Sequence, residues 1–398
     1  MNSFEWNLPT RLVYGKGNLK RVGELSREIG RKALVVTYQS YGKKGRSQWV
    51  VDGAIESLEE AGVEYELFGR IEPNPRVTTV DEGARVLLEK GCDFILAVGG
   101  GSVIDASKYI AGTAKCGGSS WDYVILRGRK EKVYTDAYPI VAVPTVAAAG
   151  SEANAGGVVT NWATREKSFC RAPSRIPKVA VIDPEIYTSV PKSVTADGGV
   201  DIFSHLLEHY LSSKDDSELA DRITEGLILT LKHYLGLALD NPDDEEARGQ
   251  IALVSILGWS GLQALGRTGT IPMHFLEHQF SGRFDLSHGR GMAIIIPAYL
   301  EHFADVMPHR WAKLARRVFG VTESDDLMAA RQLHKEVRAW FDELGMHLKL
   351  SDVGIAATEF DTVADDVIRM YGTLEGERVP GARPMARDDI MAVYALAE

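Results

Sequence analysis

Between Ala33 and Ile182, short apolar runs alternate with segments of helical periodicity, and the alternation stops at Asp183-Pro184. Ala33-Leu-Val-Val-Thr37, Tyr65-Glu-Leu-Phe68, Phe94-Ile-Leu-Ala-Val98, Ile140-Val-Ala-Val143 and Val179-Ala-Val-Ile182 have strand length. Most lack the polar alternation of a strand with one wet face, as strands covered on both sides do. Trp49 to Ala61 and Thr78 to Lys90 read as amphipathic helices between them. This rhythm constrains the first half to a doubly wound parallel sheet with helices on both faces. Beyond Pro191 the pattern is helical. Ala220 to Leu239, Ala247 to Leu265, Pro308 to Phe319 and Leu327 to Leu344 carry apolar residues at helix spacing, and no strand is expected there. The expected organisation is an α/β domain over residues 1–184 and an all-α domain over residues 185–398, with no internal repeat.

The chain of 398 residues is roughly two domains long. Its formal net charge of -10 argues against nucleic acid or an anionic membrane as a partner, since both select basic surfaces. Cys92, Cys116 and Cys170 form no paired motif, which fits a reducing compartment. The first residues, MNSFEWNLPT, lack the basic and apolar regions of a signal peptide. No apolar run approaches the roughly 18 residues of a membrane span. A soluble, cytoplasmic protein is expected.

The ten histidines are unevenly placed. His274, His278 and His288 fall within fifteen residues, and Asp201 and His205 stand four apart upstream. Residues four apart share a helix face, so facing helices would bring a carboxylate and several imidazoles together. Asp201, His205, His274 and His288 form a ligand set suited to one divalent metal, Fe²⁺ or Zn²⁺. His209 continues the Asp201/His205 face, one turn beyond the set. Asp197 lies one turn before it, where the helix dipole favours a carboxylate. A competing pattern is His274-Phe-Leu-Glu277-His278, the H-x-x-E-H of one zinc peptidase class, with Glu277 as general base. That reading leaves Asp201, His205, His288 and the first half of the chain unused.

Gly99-Gly100-Gly101-Ser102-Val-Ile-Asp105 follows a strand and opens a helix. Glycines admit close approach to the backbone, and a helix N-terminus offers free N–H groups to a pyrophosphate. The segment is not G-x-G-x-x-G, and a plain tight turn would use the same residues. Pro144-Thr145 to Asn154 also follows a strand and is rich in small residues, as either a cofactor contact or a packed loop requires. Gly198 and Gly199, one turn before Asp201, either admit the nicotinamide or substrate to that helix or weaken it for no functional reason. The loop Thr37-Tyr-Gln39-Ser40-Tyr41-Gly42-Lys43-Lys44-Gly45-Arg46 contains no acid and three basic residues. An acid after this strand would bind a ribose 2′-hydroxyl, whereas cations suit a 2′-phosphate. The loop therefore points to NADP(H), with NAD(H) as the alternative.

With these residues in place the sequence resembles the iron-containing (group III) alcohol dehydrogenase family over nearly its whole length. The resemblance rests on Pro9-Thr-Arg-Leu-Val-Tyr-Gly-Lys-Gly17, Ile71-Glu-Pro-Asn-Pro75, Gly99 to Asp105, Gly150-Ser-Glu152 and the spacing Asp201/His205/His274/His288. The loop after Thr37 and Gly150 to Gly156 are most similar to the NADP-dependent butanol dehydrogenase or aldehyde reductase branch. The resemblance implies an α/β domain and a helical domain with a cleft between them, and a homodimer. It implies Asp201, His205, His274 and His288 as metal ligands, and His278 as a non-ligand histidine close to cofactor and metal. Gly100, Gly101, Ser102, Thr145, Asn154 and Lys167 fall at cofactor-contact positions. Two departures stand out: Ala149 replaces a common threonine, and the glycine-rich 2′-phosphate loop is altered to Gln39-Ser-Tyr-Gly.

The expected activity is metal-assisted hydride transfer between NAD(P)(H) and a small alcohol/aldehyde pair, with His278 in proton transfer. Residues 1–184 would carry the dinucleotide and residues 185–398 the metal. The alternatives are a non-redox metal and NAD enzyme of the dehydroquinate synthase kind, the H-x-x-E-H peptidase, and a binding protein without catalysis.

Overall fold

In the computed structural model, which describes residues 1–398 apart from Lys44, Arg46 and Glu131, the first half builds a six-stranded parallel sheet. Its strands are β1 (Arg11–Tyr14), β2 (Lys32–Tyr38), β3 (Glu64–Ile71), β4 (Phe94–Gly99), β5 (Ile140–Pro144) and, after an excursion, β8 (Val179–Ile182). Their order is β1-β8-β5-β4-β2-β3. Side chains of β2 and β4 alternate between two cores. Leu34, Val36, Ile95 and Ala97 pack against Tyr109 and Ile110 on one face. Ala33, Val35, Phe94, Leu96 and Val98 pack against Val50 and Leu58 on the other. Burial on both faces explains why these strands read as continuous apolar runs.

Four elements depart from the sequence expectation. Edge strand β1 is only four residues long and exposes Arg11 and Tyr14, so it carries no buried-strand signal. Strands β6 (Gly156–Asn161) and β7 (Glu166–Arg171) form a separate antiparallel hairpin between β5 and β8. Their mixed polarity arises because the hairpin packs on helices rather than in the sheet. The helix expected from Ala247 to Leu265 spans Glu245–Gly258 instead. The chain turns through Trp259 to Gly261, whose φ of 93° suits a residue without Cβ.

After Pro184 the chain is helical, and its largest core is built from Val200, Phe203, Leu206, Leu276, Ile295, Trp311 and their neighbours. Three of these helices matter for the site: Lys192–Ser212, Pro272–Phe284 and His288–Phe303. Pro272 and Pro308 each sit at the first turn of a helix, where proline's missing N–H costs nothing. Among the described residues no helix is long and apolar enough to cross a membrane.

Candidate metal and dinucleotide site

Asp201 and His205 lie one turn apart on helix Lys192–Ser212, and both are buried. His274 is on helix Pro272–Phe284, and His288 is the first residue of helix His288–Phe303. These elements bring the four groups to one point. A donor atom from each of Asp201, His205 and His274 lies within 4.8 Å of the others. His205 Nε2 and His274 Nε2 are 3.2 Å apart. His288 Nε2 is 3.4 Å from Asp201 Oδ1, and His205 Nε2 is 3.7 Å from it.

Two buried glutamates hold this arrangement from behind. His274 Nδ1 donates to Glu208 Oε2 at 2.5 Å, and the N–H groups of Met273 and His274 donate to Glu208 Oε1 at 2.6 and 3.0 Å. His288 Nδ1 donates to Glu277 Oε2, while Ser281 donates to Glu277 Oε1. With Nδ1–H committed in both rings, each Nε2 presents a lone pair to the centre. A carboxylate behind an imidazole is the usual support of a metal-bound histidine. Asp201 Oδ1 and His205 Nδ1, although buried, meet no hydrogen-bond partner among the described residues. Buried polar atoms are rarely left so. Converging nitrogen lone pairs and a carboxylate oxygen fit one divalent cation.

The electrostatics agree. Burial pushes the His205 imidazole down to about 3, although Asp201 opposes it. Burial would raise Asp201, but the imidazoles of His205, His288 and His274 outweigh it and leave the carboxyl below its usual range. Burial also pulls His274 down, and Glu208 more than offsets that pull.

Glu277, His278 and His288 also bring donor atoms within 4.8 Å of one another, a glutamate and two histidines. Both oxygens of Glu277 are nonetheless engaged by His288 and Ser281, and the residue is fully buried. The geometry therefore corrects the H-x-x-E-H alternative: Glu277 positions His288 and has no free oxygen with which to activate water. The same engagement speaks against the dehydroquinate synthase-like reading. His209 lies one turn beyond His205, with its ring 5.5 Å from Trp259. Asp197 lies one turn before Asp201, accepts from Ser287 Oγ at 2.9 Å and pairs with Arg290.

His278 is buried, with Nδ1 3.0 Å from the Tyr371 hydroxyl and Nε2 without a partner among the described residues. Burial, reinforced by Lys167, holds its pKa well below the ordinary value. Lys167 on β7 reaches the same region: its Nζ donates to Asn74 Oδ1 at 3.1 Å. Burial lowers its pKa, while Glu277 and Asp201 act in the opposite direction. Two residues from alternate positions of β7, Lys167 and Phe169, thus face the helical half, and the Phe169 ring lies 6.2 Å from that of His278. Trp259 covers the cluster from another side, 4.5 Å from the His205 ring and 6.4 Å from that of His274.

The glycine turn is built differently. β4 ends at Gly99, and Gly100 starts helix Gly101–Cys116 without any side-chain cap. Gly100 N–H donates to Tyr38 Oη at 2.6 Å, and Thr145 N–H to the Gly99 carbonyl at 3.1 Å. Gly101 and Ser102 stay partly exposed at the helix start. A Cβ on Gly101 would meet only Ala149 Cβ at 3.8 Å, so the backbone there faces open space. This suits an anionic ligand on free helix N–H groups.

Behind the turn lies a closed polar cluster. Asp105 accepts from Ser151 Oγ and from Val158 N–H at 2.9 Å. Lys108 donates to Ser151 Oγ (2.8 Å), Asn154 Oδ1 (3.1 Å) and the Gly156 carbonyl (2.7 Å). Asn154 Nδ2 donates to the Gly150 carbonyl at 2.8 Å. Asp105 and Asn154 are thus engaged in shaping the loop. A Cβ on Gly198 would overlap the Ala147 carbonyl, and one on Gly199 the Leu235 side chain, so both glycines serve close packing. Ser40 and Lys43 are exposed in the turn after β2. Lys44 and Arg46 lie outside the described residues.

Of the groups that complete the site, sequence reasoning missed Glu208 and Tyr371 and considered Glu277 only as the general base of the set-aside H-x-x-E-H alternative. Glu208 had a signal, since it stands seven residues after Asp201 on the same helix face. Tyr371 comes from a distant helix, Phe360–Tyr371, and had none.

Comparison with known proteins places the chain. Residues 9–184 match the model for iron-containing alcohol dehydrogenase, and residues 195–397 match its C-terminal counterpart, the Fe-containing alcohol dehydrogenase family. NADH-dependent butanol dehydrogenase B of Clostridium acetobutylicum is 34% identical over 399 residues, 99% of each chain. The NADPH-dependent aldehyde reductase YqhD of Escherichia coli is 32% identical over 357 residues, 89% of this chain and 90% of that one. The crystal structure of NADH-dependent butanol dehydrogenase A from Thermotoga maritima superposes with a TM-score of 0.93 at 30% identity, covering 100% of this chain and 99% of that one.

Proposed function

The chain belongs to the iron-containing alcohol dehydrogenase family, and from that premise we propose how its residues divide the work. The enzyme is an NAD(P)-dependent alcohol/aldehyde oxidoreductase that uses a divalent metal. Asp201, His205, His274 and His288 hold the ion, Fe²⁺ or Zn²⁺. The observation that carries this reading is the convergence of their donor atoms with Glu208 and Glu277 fixing two of the rings. When bound, the metal polarises the substrate oxygen and the nicotinamide carries the hydride. Gly99, Gly100, Gly101 and Ser102 offer backbone N–H groups to the pyrophosphate, beside Thr145, with Asp105 and Asn154 bracing the loop and Lys167 closing the other side. Trp259 and Phe169 exclude water. His278 Nε2 takes the alcohol proton in oxidation and returns it in reduction, directly or through one water.

NADP(H) is the cofactor we propose to be preferred, because residues 38–43 offer no carboxylate to a 2′-hydroxyl and Lys43 is free to meet a 2′-phosphate. The relatives divide on this point. The substrates are small alcohols and aldehydes. We propose a division of labour at residue 184, with the dinucleotide carried before it and the metal after it. A homodimer is the assembly we propose, and the open edge of β1 leaves room for one. The test is metal analysis of protein purified anaerobically without chelator, combined with NADPH and NADH oxidation against short aldehydes. One equivalent of metal and turnover that disappears with its removal are expected. Turnover indifferent to complete metal removal would overturn the site.

A further inference from the structure

We propose that Tyr371 is a positioning residue that locks His278 in a single tautomer, with Nδ1 protonated and the Nε2 lone pair facing the metal cluster. This rests on the reading of His278 as the proton-transfer group.

The Tyr371 hydroxyl has one proton and lone pairs to accept with. It stands 2.9 Å from the Lys167 carbonyl and 3.0 Å from His278 Nδ1. A carbonyl only accepts, so the O–H is spent on Lys167. The hydroxyl then meets His278 only as an acceptor, which requires a proton on Nδ1. In the opposite arrangement Tyr371 donates to Nδ1 and the imidazole proton moves to Nε2. That N–H would be a buried donor without a partner, because Nε2 meets none among the described residues. An unmade bond at a buried donor makes this the costlier state.

The fixed tautomer sets the direction of proton movement. In oxidation the alcohol O–H bond breaks, its proton goes to the Nε2 lone pair, and the hydride leaves the carbinol carbon for NAD(P)⁺. The products are the carbonyl compound, NAD(P)H and an imidazolium whose Nδ1–H still donates to Tyr371. Reduction reverses each step. Tyr371 itself passes no proton on, because its O–H ends on a carbonyl. It also packs its ring 4.6 Å from Phe275, so replacement by phenylalanine keeps the shape of the core and removes only the oxygen.

The experiment compares unaltered protein with Tyr371→Phe, and uses His278→Gln to assign the His278 signals. Histidine is labelled with ¹⁵N, and imidazole nitrogen shifts are read on the zinc-loaded enzyme. The unaltered protein should show a protonated Nδ1 and a bare Nε2 at His278. Tyr371→Phe should move the proton toward Nε2 and lower kcat about tenfold. Metal content should hold and KM for the dinucleotide should change less than about twofold. A Tyr371→Phe protein with the same tautomer and the same kcat would overturn the proposal, as would a bare Nδ1 in the unaltered protein. Full turnover in His278→Gln would remove the proton-transfer role while leaving the tautomer result legible. Absence of aldehyde reduction by the unaltered protein would instead indict the functional reading.

Discussion

The histidine cluster and the glycine turn, the two halves of the proposed site, are built on opposite principles. At the cluster, side chains supply everything. Glu208 and Glu277 orient two rings, and Asp201 Oδ1, left without a hydrogen-bond partner among the described residues, lies among the Nε2 atoms of His205 and His288. At the turn, side chains are withdrawn: Gly101 faces open space, and the charged residues nearby, Asp105 and Lys108, are bonded to their neighbours. One half presents unsatisfied polar side-chain atoms, the other bare backbone. Substitutions should therefore fail differently in the two halves.

The sharpest break is His274→Ala or His288→Ala. Each should abolish metal retention and lower turnover by about a thousandfold or more, with dinucleotide affinity nearly unchanged. Metal content by mass spectrometry and a dinucleotide titration check this, and full metal with full turnover in either variant would refute the ligand set. Next is Lys108→Met, on the other half. Losing three hydrogen bonds from a buried ammonium should cost about 3 kcal/mol of stability while the metal stays bound. Burial pushes Lys108 down to about 7, so the folded protein binds fewer protons than the unfolded chain between about pH 7 and 10.5. Its contribution to stability rises with pH across that window. Urea melts at pH 7 and pH 9.5 should show a steeper rise for the unaltered protein than for the variant.

Glu208→Gln keeps the shape but weakens the acceptor behind His274. Metal affinity should fall about ten- to a hundredfold, read by competition with a chelator. An unchanged affinity would make Glu208 a purely structural residue. Gly101→Ala should leave the melting temperature unaltered, because its Cβ meets only Ala149 at ordinary distance. It should weaken dinucleotide binding about tenfold if the pyrophosphate lies against this turn. Equal dissociation constants for variant and unaltered protein would move the pyrophosphate elsewhere. The smallest effect belongs to Lys43→Ala. An exposed cation should give only a few-fold preference for NADPH over NADH, diminishing with salt. A preference that survives the substitution intact would exclude Lys43 as its source.

How legible each half was follows from the same contrast. Four of the six sheet strands, β2, β4, β5 and β8, are readable because burial on both faces leaves nearly uninterrupted apolar residues, whereas β3, on the other edge, is read from its aromatic residues Tyr65 and Phe68. β1 is lost because it is short and half wet. The four converging groups are readable because helix periodicity carries Asp201 to His205, and because three histidines within fifteen residues are hard to place otherwise. Gly198 and Gly199 mislead, since a glycine is blank in sequence: packing against Ala147 and Leu235 becomes visible only in three dimensions. Tyr371 was illegible because 93 residues separate it from His278, and nothing local to either predicts the meeting.

The β6–β7 hairpin limits how this protein can be recombined. The change from sheet to helices at Pro184 is not a clean seam, because Lys167 and Phe169 sit on its N-terminal side and face the helices beyond it. Gln279 Nε2 and Tyr371 Oη both donate to the carbonyl of Lys167. A hybrid spliced at Pro184 from two relatives would join a hairpin selected for one set of helices to another set. The helical half therefore packs as one piece with residues 156–171, a unit discontinuous in sequence, and a splice that keeps the Lys167 carbonyl bonded to Gln279 and Tyr371 must carry the hairpin along.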